Sequence, residues 1–282
     1  MDKHGAQLSS SSPSEVERMV SALAETARRY GVLLACEPVA EGIIASVGVG
    51  YLAHLGEGRL ELCRADCGRA RPGQVVLGPL DATSEDAASL AKRVLEGFRR
   101  KTGRECARRA ALACASDEAC APEAVHRYLR LGFSQPWEMR PGTTDKRALV
   151  VDELSCVVLR ELESARQLTR FSHVRDGSLV AVIEPAANIV PLLGARCAQR
   201  LGSERFCLAD PRHRVAAFHE ARAARCVLVG LDERLCGRLI GLGTERLAED
   251  GRLPRALWER FREHAALSGR GLQAHLVDKR PR

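Results

Sequence analysis

The chain has 282 residues, 45% hydrophobic and 28% charged, with a formal net charge of +7. That length can bury one large core or two modest ones, and no stretch approaches the roughly 18 consecutive apolar residues a membrane-spanning helix needs. The serine-rich opening has no apolar segment of the kind a secretory signal carries, so the expectation is a soluble, cytoplasmic protein without a membrane partner.

Residues 1–13 read as a disordered tail. Ser14 and Glu17 then form a capping box, and Val16, Met19, Val20, Leu23 and Ala27 share one helical face that Gly31 brings to an end. Val32–Cys36 is a short apolar strand. Glu41–Leu55 is helical by pattern, although Gly48 and Gly50 weaken it. Leu60–Cys63 reads as a strand and Asp66–Asp81 as a loop holding a strand at Val75–Leu77. Thr83 and Asp86 open a helix striped by Ala87, Leu90, Ala91, Val94, Leu95 and Phe98, with Arg99, Arg100 and Lys101 suited to its C-terminal dipole. Further helices follow at Glu105–Ala115 and from Pro122 through Phe133. Residues 134–146 carry two prolines and a glycine, which places the division of the chain there: 14–145 and 146–282.

Arg147–Leu168 is a long helix, apolar at Leu149, Val150, Leu154, Val157, Val158 and Leu162. Asp176-Gly177, between the β-prone runs Arg170–Arg175 and Ser178–Glu184, marks a hairpin with a two-residue turn. In that register Arg170 lies opposite Ile183, so Arg170 and Glu184 fall on different faces. Asn188 is placed to cap a helix carrying Pro191, Leu193 and Cys197 and ending near Gly202. Strands at Phe206–Ala209, Arg214–His219 and Cys226–Val229 precede helices at Arg234–Ala248 and Pro254–Leu267. The fold class is therefore α+β: a helix-rich N-terminal half, then a small antiparallel sheet packed by helices.

Chemistry is sparsely marked. There is no P-loop, GxSxG, HExxH or Cys-x-x-Cys, and no cofactor is called for. Cys63-x-x-x-Cys67, with His54 nearby, lacks the four identifiable ligands of a zinc site, so no metal is assigned. Eleven cysteines, an odd number, fit reduced thiols; Cys36, Cys156, Cys197, Cys207 and Cys226 read as buried. Two basic clusters stand out. One runs over residues 92–109 and holds Lys92, Arg93, Arg99, Arg100, Lys101, Arg104, Arg108 and Arg109; the other lies between Arg252 and Arg282. Either can neutralise phosphates, or form an ordinary solvated helix face. With aromatics at only 4%, a stacking platform for single strands is poorly supplied. Glu184 and Asp210, at strand ends, are the candidate general acid or base, and Asn188 at a helix start is a candidate phosphate contact.

Several of these segments together resemble a bacterial family assigned to DNA metabolism or DNA repair. Its C-terminal half is a domain of unknown function that is also found fused to uracil-DNA-glycosylase-like proteins. The resemblance runs from about Val32 to about Gln273. It rests on Cys36-Glu37-Pro38 with the following helix, Tyr128-Leu129-Arg130-Leu131-Gly132-Phe133, Arg170-Phe171 before the hairpin, Glu184-Pro185-x-x-Asn188, Arg200, Asp210 and Leu257-Trp258. Gln167 stands where the family usually has glycine, and the C-terminal run that keeps Arg270 and Gln273 is shortened. The resemblance implies binding roles for Tyr128, Arg130, Arg170, Phe171, Asn188, Arg200 and Trp258. It also implies partnership with DNA or with a helix-hairpin-helix radical-SAM repair protein. Three expectations follow: a DNA-binding accessory protein, an enzyme on damaged or modified nucleobases using Glu184 or Asp210, or a scaffold without catalysis.

Overall fold

The computed structural model describes residues 13–56, 58–242, 246, 249 and 252–264. The tail expected over 1–13 lies outside these apart from Pro13.

Helix α1 (Glu15–Thr26) starts on the expected box: Ser14 Oγ accepts from Glu17 N at 3.2 Å, and Ser14 N donates to Glu17 Oε2 at 2.9 Å. It ends at Ala27, and Gly31 instead opens strand β1 (Gly31–Cys36). β1 is the centre of a parallel three-stranded sheet, flanked by β2 (Leu60–Arg64) and β3 (Gln74–Leu77). Its continuous apolar run is what a parallel strand covered on both faces requires. Helix α2 (Ala40–Leu52) crosses from β1 to β2 and is buried at Ala40 and from Gly42 to Gly50. Its glycines cost helix propensity but permit contact: a Cβ at Gly48 would lie 2.7 Å from Leu90 Cγ. Leu90 belongs to α3 (Glu85–Thr102), capped by Ser84 rather than Thr83, with Ser84 Oγ accepting from Ala87 N at 3.2 Å. Its stripe is buried as expected, Val94 only partly.

Helices α4 (Arg104–Ala113) and α5 (Ala121–Ser134) and a 3-10 turn (Pro136–Met139) lead to α6 (Lys146–Leu168). Leu154, Val158 and Leu162 of α6 are buried, but Leu149, Val150 and Val157 face outward, and Ala148, Val151 and Ser155 take the inner positions. The first half of α6 completes the N-terminal core (Ala148, Val151, Leu154). The second half packs with Leu112 and Ala115 in another core (Val158, Leu162).

The remaining strands form a five-stranded sheet in chain order: β4 (Ser172–His173), β5 (Leu179–Val182), β6 (Phe206–Asp210), β7 (Val215–His219) and β8 (Val227–Gly230). It is mixed rather than purely antiparallel, because helix α7 (Val190–Arg200) carries the chain across so that β5 and β6 run parallel. One sheet face (Leu179, Ala181, Phe206, Leu208, Ala217) packs on α6 and α7. The opposite face (Val180, Cys207, Ala209, Ala216, Phe218) packs on α8 (Glu233–Leu239) and α9 (Arg252–His264). The helix expected over 234–248 stops at Leu239, with Gly241 at φ +68° just beyond; the later part of that span is largely outside the described residues.

The hairpin is where expected but one residue out of register. Ser172 pairs with Val180 and His173 with Leu179, and Val174 N donates to Ser178 O at 2.9 Å, so the loop has three residues, Arg175–Gly177. Gly177, at φ +81°, closes it, and Asp176 Oδ1 accepts from Ser178 N at 3.0 Å.

Candidate functional site

The most concentrated polar arrangement lies where the β6–β7 turn meets the N-terminal half. Asp210 ends β6 with no exposed surface. Its Oδ1 accepts from the backbone N–H groups of Arg212 at 3.0 Å and His213 at 3.2 Å, and its Oδ2 lies 2.5 Å from His213 Nδ1. The other ring nitrogen, Nε2, is 3.1 Å from Asp117 Oδ1, close enough for an ion pair but out of line for a hydrogen bond. Asp117, in the α4–α5 loop, also accepts from Arg64 Nη1 at 3.1 Å, and Arg64 in turn forks onto Asp66. Burial alone would lower the affinity of His213 for a proton. The carboxylates of Asp210 and Asp117 outweigh it and hold the imidazole pKa above the ordinary histidine value. The Asp66 fork raises Arg64 further against a smaller loss from burial. The chain thus joins β2 to the β6–β7 turn through alternating charges. Geometrically it is an imidazole ring held between two carboxylates. His213 and Asp117 were not singled out from the sequence; the Asp210-x-x-His213 spacing after a strand was the available signal.

The other anticipated residues do not gather around Asp210. Glu184 lies just past β5 and accepts from Gly241 N at 2.9 Å. Arg170 wraps back on the end of α6, donating to Gln167 O at 2.6 Å. Phe171 packs edge-on against Phe206 at 5.5 Å. Arg200 is exposed in the last turn of α7. Arg170 and Glu184 do not pair, as expected, though their separation comes from these different partners rather than from the expected register, which is shifted by one residue. Asn188 is not a helix cap: the N-cap of α7 is Ile189, and Asn188 Oδ1 is buried without a hydrogen-bond partner. The amides just before α7 are already occupied. Glu161 of α6 accepts from Ala186 N at 2.5 Å and Ala187 N at 2.8 Å, taking the place an external phosphate would need. Trp258 is buried in the α9 layer, with Nε1 donating to Ser178 Oγ at 3.2 Å and Arg205 stacked 4.3 Å over its ring.

The Tyr128–Phe133 motif has a packing explanation. Tyr128 is buried, its hydroxyl reaching Cys106 O at 3.4 Å, and burial pushes its phenol pKa up. Gly132 lets α5 press against Phe98 and Thr102, and Phe133 packs edge-on against Tyr51 and Phe98. Arg130 Nη1 donates to Leu55 O at 2.9 Å while the guanidinium lies 5.2 Å over the Tyr51 ring, tying α5 to the end of α2. The same helix lines an open cleft of about 290 Å³ with Glu123, His126, Arg127 and Arg130, facing Leu60 and Glu61 of β2 and Arg147 of α6. Glu123 is committed there: its Oε2 accepts from Leu62 N at 2.8 Å on the free edge of β2. Burial raises its pKa, but His126, that amide and Arg127 together hold it below the usual carboxylate range.

The α3–α4 corner is different in character. Glu96 is taken by Arg99, Glu105 by Arg108 and Arg109, and Lys101 Nζ donates to Phe133 O at 2.8 Å. Lys92, Arg93, Arg100 and Arg104 remain exposed, without an ion pair among the described residues. In the C-terminal cluster, by contrast, Arg255 pairs with Glu259, and Arg260 meets Gly230 O and Glu263. The positions from Arg270 onward lie outside the described residues.

All eleven cysteines are free thiols. Burial pushes Cys36 and Cys226 up to about 12 and raises Cys207 and Cys197 as well. The buried reading holds for Cys36, Cys197 and Cys207; Cys226 is half-buried, and Cys156 sits on the outer face of α6 and is exposed. Among the described residues no group of three or more His, Cys, Asp or Glu side chains could hold a metal ion, and no helix is long and apolar enough to cross a membrane.

These elements define an α+β protein with a parallel N-terminal sheet, a mixed C-terminal sheet and an Asp–His–Asp relay at their junction. The family model for the domain of unknown function DUF4130 matches residues 120–279, from the start of α5 onward, and the chain belongs to that family. No curated protein and no solved structure matches it.

Proposed function

We propose that the protein is a DNA-binding accessory factor of DNA metabolism, holding the phosphate backbone against the α3–α4 corner. The observation that carries this reading is the set of exposed cations there, Lys92, Arg93, Arg100 and Arg104, whose acidic neighbours are engaged with other arginines. Such groups neutralise phosphates without reading sequence. The family resemblance supplies the repair setting and a radical-SAM repair protein as the companion that would act on the bound DNA. The nucleobase-enzyme reading is less well supported, because both Asp210 oxygens are already bound within the protein and Glu184 is held by Gly241. The test is to replace Lys92, Arg93, Arg100 and Arg104 together by glutamate and compare DNA affinity with wild type at low salt. Loss of binding with an unchanged fold supports the reading. Undiminished binding, or no binding by the wild-type protein, overturns it.

A further inference from the structure

We propose that Trp137 is a stacking platform for an unpaired base, and that the DNA held at this corner is single-stranded; the inference rests on the DNA-binding reading above. Trp137 is 57% exposed, whereas the other tryptophan, Trp258, is 5% exposed. Nothing in the fold asks for an indole in water at that position. Yet its backbone is firmly placed. On one side Lys101 Nζ donates to Phe133 O at 2.8 Å; on the other Cys106 Sγ meets Met139 O at 3.5 Å, and the Met139 side chain is buried. The turn carrying Trp137 is therefore anchored to the end of α3 at Lys101, next to Arg100, and to the start of α4 at Cys106, two residues past Arg104. Arg140, also exposed, follows on the same segment; Glu138 is the one acidic residue within it.

The physical combination is specific. Cations alone serve duplex and single strand alike. A lone exposed indole beside them favours the strand whose bases are free to turn outward, because every base has a π-face and in a duplex those faces are covered by the neighbouring base pairs. A backbone tied at Phe133 and at Met139 leaves less conformational freedom to lose on binding.

Intrinsic fluorescence reads the contact directly, since Trp258 is shielded within its core. The probes are oligothymidylate, a duplex of equal length and oligouridylate, titrated into wild type, Trp137→Ala, Trp137→Phe and the fourfold glutamate variant. Thermal melts confirm that each is folded. The expected result is quenching by oligothymidylate in wild type, affinity for it lowered about 5- to 100-fold in Trp137→Ala, largely restored in Trp137→Phe, and duplex affinity little changed. If Trp137→Ala binds oligothymidylate as wild type does, if no quenching accompanies binding, or if oligouridylate is preferred, the platform assignment falls while the DNA-binding reading stands or becomes one for RNA. If wild type binds none of the probes, or the fourfold variant binds them undiminished, both fall.

Discussion

Replacing Asp210 with asparagine keeps the shape of the relay and removes its central charge. The asparagine carbonyl can still accept from the Arg212 and His213 amides that Asp210 now holds at 3.0 and 3.2 Å. What is lost is the charged bond to His213 Nδ1, in a site where Asp210 has no exposed surface. A hydrogen bond to a charged group contributes about 1.5–3 kcal/mol. Breaking a buried pair outright costs about 3–5 kcal/mol. His213 keeps Asp117 at 3.1 Å, so the lower range applies, about 1.5–3 kcal/mol. Urea unfolding should show a lower midpoint with an unchanged slope. The loss also has a pH signature. The folded pKa of His213 lies above its ordinary value of 6.5, so the relay's contribution is fully present below that pH and disappears as pH rises through the folded pKa. The gap between wild type and Asp210→Asn should therefore be widest near pH 6 and narrow on the alkaline side. A gap below about 0.5 kcal/mol at pH 6, or one independent of pH, would refute the charged relay.

Two further substitutions probe the packing beneath the motifs. In Gly132→Ala, the new Cβ would meet the Phe98 ring and lie 2.8 Å from Thr102 Cγ2. Differential scanning calorimetry should show a destabilisation of about 1–3 kcal/mol; a neutral result would mean that α5 can shift away from α3 at no cost. Trp258→Phe removes the indole N–H that reaches Ser178 Oγ and the larger face beneath Arg205, which should cost about 1–2 kcal/mol in urea unfolding, with the m-value unchanged.

Most elements could be read from local pattern because their signals are local. The Ser14–Glu17 box, the α3 stripe and the continuous apolar run of β1 each depend on neighbours in sequence. The parts that could not be read depend on distant ones. Gly48 looks like a helix fault until Leu90 is seen pressed against it. Leu149 and Val157 look like core until α4 and α5 occupy the opposite side of α6. Asp176-Gly177 marks the turn, but whether the loop holds two residues or three is settled by the ladder it joins, so the position was legible and the register was not. Asp210 was singled out for its place at a strand end. Asp117, on the far side of His213, lies in a different half of the chain, and no spacing connects it to Asp210. Glu161 filling the amides before α7, and Trp137 left in solvent, are likewise consequences of packing.

The most direct test of the central claim is the salt dependence of DNA binding by wild-type protein and by the fourfold glutamate variant at Lys92, Arg93, Arg100 and Arg104. If these four side chains each neutralise a phosphate, log affinity against log salt should fall with a slope of about −3 for a single strand, and the variant should lose most of it. A slope near zero, or the same slope in both proteins, would contradict the placement of DNA on the α3–α4 corner.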